Sequence, residues 1–379
     1  MAIMPYKIPF NKPCLIGDEI KNIQEACNSG HISGNGLFTQ KCQTLIEKDL
    51  QIPKALLTTS CTHALEMTAL LLNIKEGDEV IVPSFTFVTT VNAFVLRGAI
   101  PVFIDINPDT LNLDEKLIKN RITPRTKAIV CVHYAGVGCE MDEILEIANI
   151  NEIAVIEDNA HGLYGKYKDK YLGTFGCMAT LSFHETKNFS CGEGGALLIN
   201  DLKYMERAEI VREKGTNRKL FLQNLVDKYT WVDLGSSYLP SDILAAFLYA
   251  QLSAREKIQA QRKSIWEYYQ EKLEDWANDH NVALPFIPNI CNQSYHMFYM
   301  IMPSYEKRKA MISHLRDNGI LSVFHYLPLH LSKMGRRFGG KDGDCPVTEN
   351  ISGRLLRLPF FYDLTKKDMD KIIEAIKEF

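Results

Sequence analysis

The sequence has 379 residues, 46% hydrophobic and 23% charged, with a net charge of −3. That length accommodates two domains and a sizeable core. The charge balance gives no electrostatic case for nucleic acid or an anionic membrane surface, and no apolar run reaches membrane-spanning length.

The N-terminal stretch Met1 to Phe10 lacks the long apolar core of a signal peptide, so a cytosolic protein is expected. Ten cysteines are scattered without a Cys-x-x-Cys pair, and ten histidines show no metal-ligand spacing. Several cysteines, such as Cys131, sit in apolar runs, which points to buried free thiols and no metal site. There is no internal repeat and no low-complexity segment.

Along the chain, Ser29-Gly30 and Ser33 to Gly36 are turn signals, and Phe38 to Leu50 has helical periodicity. A short strand from Ala55, a Thr/Ser-rich turn and a helix starting near Thr62 follow. Free N–H groups at that helix start, beside the Ser60 and Thr62 hydroxyls, suit a phosphate, although a plain capped helix reads the same way. Gly77 to Pro83 is a turn and strand. Ser84 to Phe94 leads into a helix, with Phe85 and Phe87 at the strand's C-terminal end, where open α/β sheets place ligands. One of these rings suits stacking on a planar cofactor; core packing is the ordinary alternative.

Pro101 to Ile106 is the next strand, followed by an Asn-Pro-Asp turn. A helix over 114–121, a strand from Ala128 to His133, a helix from Met141 to Ile150 and a strand from Ile153 to Asp158 complete an alternation. It predicts a mostly parallel sheet with helices on both faces. Glu157 and Asp158 fall at a strand's C-terminal end. A carboxylate there suits a protonated cofactor ring nitrogen; a helix cap or salt bridge is the alternative.

Ala179 to Asn200 reads as strand, loop, strand. The loop holds Lys187 and the glycines 192, 194 and 195, which let backbone approach a bulky ligand. A lysine between buried strands is costly as a cation unless neutralised, and a Schiff base with an aldehyde cofactor would neutralise it. A solvated lysine on an ordinary hairpin is the plain alternative. The chain thus offers in order an anion cradle, an aromatic, a carboxylate and a lysine on one sheet.

Beyond Asn200 a charged helical segment runs to about Arg218. Ser241 or Asp242 caps a long helix from Ile243 that continues to Trp276. Strands over 295–302 and 321–325, a helix over 305–318 and a final helix over 365–379 give an α+β pattern. The domain change is placed near residue 250.

These residues carry a family likeness. The runs Thr59-Ser-Cys-Thr-His63, Pro83-Ser-Phe-Thr-Phe-Val88, Glu157-Asp-Asn-Ala-His161, Ser182-Phe-His-Glu-Thr-Lys-Asn188 and Gly192-Glu-Gly-Gly195 resemble the sugar aminotransferases of the DegT/DnrJ/EryC1/StrS family. The likeness extends from Ile8-Pro-Phe-Asn11 to Phe324-His-Tyr-Leu-Pro-Leu-His330 and Arg357-Leu-Pro-Phe-Phe361. It implies an α/β fold of the fold-type I pyridoxal-phosphate (PLP) class. The large PLP-binding domain, with its mostly parallel (mixed) sheet, would span 1–250, and a smaller α+β C-terminal domain 251–379. Within the family, the Ser182–Asn188, Glu213–Arg218 and Gly235–Tyr238 runs are most similar to the branch forming TDP-4-amino-4,6-dideoxygalactose.

The resemblance makes Lys187 the catalytic lysine that carries the cofactor. Asp158 would hold the pyridinium nitrogen, Phe87 would stack on the ring, and His161 would lie near the phenolic oxygen. The backbone N–H groups of Thr62 and His63, with the Ser182 hydroxyl, would hold the phosphate. Many relatives place an asparagine, reaching the phosphate across a dimer, where this chain has Ser237. Asn159 replaces a small residue after the aspartate.

The implied reaction takes the amino group of L-glutamate to C4 of a nucleotide-linked 4-keto-6-deoxy sugar, in a homodimer with shared sites. His325, Tyr326 and His330 are candidate substrate contacts, or else a polar strand end and turn. The alternatives are a C3-aminating transaminase, a pyridoxamine-phosphate sugar dehydratase and a non-catalytic binding homologue. The dehydratases of the family replace the lysine with histidine, so Lys187 argues against that reading.

Overall fold

A computed structural model describes residues 6–222 and 224–379; Met1 to Pro5, at the head of the N-terminal stretch read above, lie outside the described residues. Helices α1 (Glu19–Asn28) and α2 (Leu37–Leu50) precede β1 (Lys54–Thr58). Then α3 (Cys61–Leu71), β2 (Glu79–Pro83), α4 (Val88–Val95), β3 (Ile100–Ile104), β4 (Thr126–Val132), α5 (Met141–Ile150) and β5 (Ala154–Asp158) follow the alternation that the spacing predicts. A small hairpin, β6 (Lys166–Tyr167) and β7 (Lys170–Tyr171), leads to β8 (Met178–Ser182) and β9 (Gly195–Ile199). Helices α6 (Met205–Arg212), α7 (Arg218–Leu222), α8 (Asp242–Ser253) and α9 (Arg255–Asp279) come next.

The seven-stranded sheet has the order β1-β9-β8-β5-β4-β2-β3. Every neighbouring pair from β8 to β3 is parallel, whereas β9 is antiparallel to both β8 and β1. A parallel return needs a crossover of a dozen or more residues, usually helical. The 183–194 segment is a loop without a helix, so β9 folds straight back beside β8.

Side-chain alternation along the strands divides the core. Leu56, Val80, Val82, Val130 and Ile156 pack with residues of α3, α4 and α6 on one face. Ala55, Leu57, Ala179 and Leu181 meet α2 and α8, and Ile81, Ile129 and Val155 meet α5, on the other. Both faces are covered, which is why these strands read as continuous apolar runs.

The sequence expectations need correction in four places. Residues 114–121 form two 3₁₀ turns, Glu115–Leu117 and Lys119–Arg121, because the Asp114 carboxylate takes the Lys116 N–H at 3.1 Å and tightens the first turn. The helical segment after Asn200 stops at Arg212, and the chain turns through Lys214 and Gly215 at positive φ. The long helix from Ile243 is broken at Ala254. There Arg255 reaches back to the Leu252 carbonyl at 3.3 Å and binds Asp49 through two nitrogens, at 2.6 and 3.0 Å, which fixes the change of direction.

The fourth correction concerns the later strands. After β10 (Cys291–Asn292), which pairs with β6, only β11 (Tyr299–Ile301) of the 295–302 run joins a ladder. The Tyr295 and His296 carbonyls go instead to the Arg262 guanidinium, at 2.9 and 2.5 Å. Beyond α10 (Tyr305–Asp317), only β12 (Val323–Phe324) of 321–325 pairs, since the Leu321 N–H goes to the Ile8 carbonyl at 3.0 Å.

The last elements are α11 (Lys333–Arg337), α12 (Pro346–Arg354), β13 (Leu355–Arg357) and α13 (Lys366–Lys377). Strand β13 is the middle of an antiparallel three-stranded sheet, β11-β13-β12. Its apolar face packs with the second half of α9, with α10 and α13, and with Ile8. The first half of α9 belongs to the other core, through Ile258. All ten cysteines are free thiols. Among the described residues no helix is long and apolar enough to cross a membrane.

Candidate active site

The C-terminal ends of β2, β4, β5 and β8 meet along one edge of the large sheet. Register places Val132, Asp158 and Thr180 in one row there. Asp158 is buried, and burial raises its pKa. Two donors oppose that rise by stabilising the carboxylate: the Thr90 hydroxyl at 2.7 Å and the Ala160 N–H at 3.2 Å. Thr86 and Thr90, one turn apart, share a hydroxyl contact at 2.9 Å and hold the donor in place.

Glu157, paired with Asp158 in the sequence reading, faces the other way, as adjacent strand residues must. Its carboxylate accepts the N–H groups of Gly173, Phe175 and Gly176, each at 2.7 Å, and His133 Nε2–H at 2.9 Å. His133 Nδ1 accepts the Cys139 N–H at 3.2 Å, which fixes that tautomer. Glu157 therefore braces the loop before β8, and Asp158 is the carboxylate of the pair that turns toward Thr90.

Helix α3 begins beside the same edge. Its cap, Ser60, accepts the His63 N–H at 3.1 Å, so that amide is engaged. The Cys61 and Thr62 amides have no hydrogen-bond partner among the described residues, which leaves two donors for an anion. Cys61 Sγ lies 3.5 Å from Thr180 Oγ1, tying the helix start to the Asp158 row. Ser182 pairs with Gly195, and Gly195 with Thr58 two residues before the cap. A Cβ on Gly195 would stand 2.3 Å from the Ser60 carbonyl carbon and 2.4 Å from the Cys61 nitrogen. Only glycine lets the β9 backbone and the start of α3 approach so closely.

Lys187 follows β8 in the loop that this approach shapes. Its side chain is half-buried, and its ammonium has no hydrogen-bond or ion-pair partner among the described residues. Burial pulls its pKa down from 10.5 to about 8, against the opposing pull of Cys61 and Asp158. The next residue is anchored: Asn188 Nδ2 donates to the Ser294 carbonyl at 2.7 Å, and Asn188 Oδ1 lies 2.8 Å from His296 Nδ1.

Facing these groups is a wall of rings. His161 stacks on His296 with ring centres 4.2 Å apart, and His325 lies beyond at 6.1 Å. Burial pushes the pKa of all three imidazoles well below the usual value, reinforced by the nearby Lys187 and Arg357 cations. His161 Nδ1 is buried without a partner. The Tyr134 hydroxyl lies 2.8 Å from His325 Nδ1. Phe87 is 54% exposed, and its only ring neighbour among the described residues is Tyr326 at 6.3 Å, so one face is open for stacking.

Two expected site residues sit differently. His330 is fully buried; Nδ1 meets Ser84 Oγ at 2.6 Å and Nε2 meets Glu349 at 2.9 Å. With both nitrogens taken it is corrected from substrate contact to brace, holding its turn against the segment that follows β2. Ser237 is exposed beside the start of α3, since the next residue, Tyr238, accepts the Thr59 N–H at 2.9 Å.

Asp158, Lys187, His161, Phe87, Thr62, Ser182, His325 and Tyr326 thus gather around one region. The open amides, the glycine-enabled approach, the unpartnered His161 nitrogen and the free lysine fit PLP. Thr90, Tyr134 and His296 carry no motif that marks them in sequence, while Asn188 stands in the quoted run beside Lys187; the Thr86/Thr90 spacing of one helical turn is the nearest signal.

Comparison with known proteins agrees with this fit. The model of the DegT/DnrJ/EryC1/StrS aminotransferase family matches residues 13–377. GDP-perosamine synthase of Escherichia coli is 32% identical over 373 residues, covering 98% of this chain and 98% of that protein. Spore coat polysaccharide biosynthesis protein SpsC of Bacillus subtilis is 30% identical, covering 98% and 96%. Spr1654 of Streptococcus pneumoniae, solved in a PLP form, superposes with a TM-score of 0.90 at 26% identity, covering 98% of each chain.

Proposed function

We propose a substrate and a donor for a chain that belongs to the DegT/DnrJ/EryC1/StrS aminotransferase family: it moves the amino group of L-glutamate to C4 of a nucleotide-linked 4-keto-6-deoxy sugar. As a member it is a PLP-dependent sugar aminotransferase with the PLP-aminotransferase α/β fold. The observation that carries the reading is Lys187: unpaired, partly desolvated and beside Asp158.

PLP supplies an aldehyde for amine exchange and a conjugated ring that takes up electrons when a C–H bond breaks. Asp158, whose carboxylate accepts from the Thr90 hydroxyl and the Ala160 N–H, would hold the ring's N–H. His161 Nδ1 would meet the phenolic oxygen. The Cys61 and Thr62 amides, with Ser182, would hold the phosphate, and Phe87 would cover the ring. Lys187 Nζ, with a pKa lowered to about 8, is neutral often enough near pH 7 to take the proton from the donor's Cα.

The likeness of the 182–188, 213–218 and 235–238 runs supports thymidine diphosphate as the nucleotide and the galacto product. A division near residue 250 is supported by the separate apolar core beyond Ile265. The exposed apolar residues Trp231, Val232 and Leu234, just before Ser237, support a homodimer that completes each site. Cytoplasmic amino-sugar supply for polysaccharide follows from this reading.

The test is an absorbance titration of the PLP-loaded protein with L-glutamate, then with nucleotide-linked keto sugars. The expected result is a shift to the amine form of the cofactor, reversed by the TDP-4-keto-6-deoxy sugar and absent in Lys187→Ala. A wild-type protein whose spectrum ignores L-glutamate refutes the reading.

A further inference from the structure

The chain holds two Asn-Gly pairs, Asn35-Gly36 and Asn318-Gly319. Glycine has no Cβ, so its nitrogen can turn onto the side-chain amide of the residue before it. The fold treats the two pairs in opposite ways. Asn318 ends α10 with φ −83° and ψ 5°, and its Nδ2 donates to the His314 carbonyl at 3.0 Å, one turn back along the helix. The Gly319 N–H is committed to the Arg316 carbonyl at 2.9 Å. Both the side chain and the attacking nitrogen are tied down there.

Asn35 sits in an exposed turn at φ +64°, and Gly36 follows in extended backbone as the cap of α2. Among the described residues neither Asn35 Nδ2 nor the Gly36 N–H makes a hydrogen bond. Asn35 Oδ1 accepts from Arg212 Nη2 at 3.3 Å. Arg212 is 2% exposed and is also held by Gln43 at 2.7 Å and Glu209 at 3.0 Å, so its guanidinium is a fixed cation. Attack on Cγ throws negative charge onto Oδ1, and a charged donor already in place stabilises that charge as it forms.

We infer that Asn35 is a self-modification site, at which the Gly36 nitrogen attacks Asn35 Cγ with Arg212 as the donor to the developing oxyanion. The N–Cγ bond forms as the Gly36 nitrogen gives its proton to water. The Cγ–Nδ2 bond then breaks, and the amine takes a proton from solvent and leaves as ammonia. Water opens the cyclic imide at either carbonyl, giving aspartate or isoaspartate, with no change of oxidation state.

The two products act differently on the fold. Aspartate adds a carboxylate beside Arg212 and keeps the backbone as it is. Isoaspartate adds a methylene to the backbone just before Gly36, where there is no slack: a Cβ on Gly36 would stand 2.5 Å from Asp242 Cγ. Asp242 in turn accepts the first amides of α2, from Phe38 at 3.1 Å and Thr39 at 2.8 Å. Isoaspartate therefore loosens the start of α2.

Peptide mapping by mass spectrometry tests this on the folded full-length chain, incubated in mildly alkaline buffer and read at both pairs. Asn35 should convert at least tenfold faster than Asn318, and in urea the two rates should agree within threefold. Arg212→Lys should slow Asn35 at least threefold and leave Asn318 unchanged. Should Arg212→Lys not fold, wild type decides, because a donor supplied by the fold requires Asn35 to convert faster folded than in urea. The isoaspartate form, separated by ion exchange, should unfold at lower urea than the starting protein, whereas Asn35→Asp should not. A folded-state rate at Asn35 no greater than at Asn318, or one indifferent to Arg212→Lys, overturns the inference. An isoaspartate form as stable as the starting protein overturns its consequence for α2.

Discussion

Substitution of Gly195 by alanine probes the cofactor cradle without touching a polar group. The added methyl would lie 2.3 Å from the Ser60 carbonyl carbon and 2.4 Å from the Cys61 nitrogen, both backbone atoms that cannot rotate away. To reach ordinary contact, near 3.4 Å, the start of α3 must move by about 1 Å from β9, or β9 must give up its pairing with Thr58 and Ser182. Overpacking of this kind costs about 1–3 kcal/mol. The displaced group is the Cys61 amide itself, so PLP affinity should fall at least tenfold. Gly192→Ala is the control: φ is +85°, with nothing within 4 Å of the new methyl, so it costs about 1 kcal/mol of backbone strain and leaves the cradle alone. Urea unfolding of both apoproteins and absorbance titration with PLP give the two quantities. Wild-type PLP affinity in Gly195→Ala would refute the assignment of the phosphate to this end of α3.

Other substitutions read out the remaining groups. Lys187 titrates near 8 in the folded protein and at 10.5 when free, so its ionisation opposes folding fully below pH 8 and not at all above 10.5. Lys187→Met should therefore stabilise the apoprotein at pH 7 by about 1–3 kcal/mol. That gain should shrink as pH rises through 8 to 10.5; a pH-independent difference contradicts the cause. Thr90→Val removes a donor that keeps the Asp158 pKa down, so the acid limb of the pH–rate profile should move to higher pH, while a profile unmoved from wild type counts against Asp158 as the ring-nitrogen partner. His330→Ala breaks the link between Ser84 and Glu349 and should cost about 2–4 kcal/mol by denaturant unfolding. The same variant should leave the sugar-nucleotide KM within threefold, and a much larger rise would restore His330 as a substrate contact.

The large sheet was legible because each strand is buried on both faces and each connection carries turn signals; β1 to β5 and α5 emerge within a residue or two of their predicted bounds. The small sheet was not. Strand β13 is three residues long and starts directly after α12, with no turn residue between them. The 295–302 run looks like a full strand, yet Arg262, 33 and 34 residues earlier on α9, captures its first two carbonyls. The site divides along the same line. Lys187, Asp158 and the α3 cap sit in local motifs whose spacing reflects their chemistry. Thr90 and Tyr134 reach the site through tertiary contacts, and composition gives no sign of which threonine or tyrosine does so. Glu157 shows the reverse: an acidic pair is conspicuous in sequence, but the period of two sends one carboxylate to the ligand edge and the other into the scaffold.

The same scaffold explains why the reacting groups from the two sheets can share one geometry. Ser84 follows β2 and precedes Phe85 and Phe87, while His330 follows His325 and Tyr326 by only a few residues. Their contact at 2.6 Å fastens the loop bearing Phe87 to the loop bearing His325 and Tyr326. Ser84 closes the joint twice, since its N–H binds the Ile104 carbonyl at 2.9 Å and its carbonyl accepts the Leu329 N–H at 3.0 Å. Phe85 fills the space between, 5.1 Å from Tyr134 and 5.6 Å from Tyr326. At the far end, Val347 and Thr348 donate to Asp105, which follows β3, each at 2.8 Å, so α12 and the strand after it are also tied to the large sheet. The loop bearing Phe87 and the loop bearing His325 and Tyr326 thus meet from separately packed cores whose relative position is set by buried polar contacts, and buried polar contacts specify a single arrangement where apolar ones tolerate several.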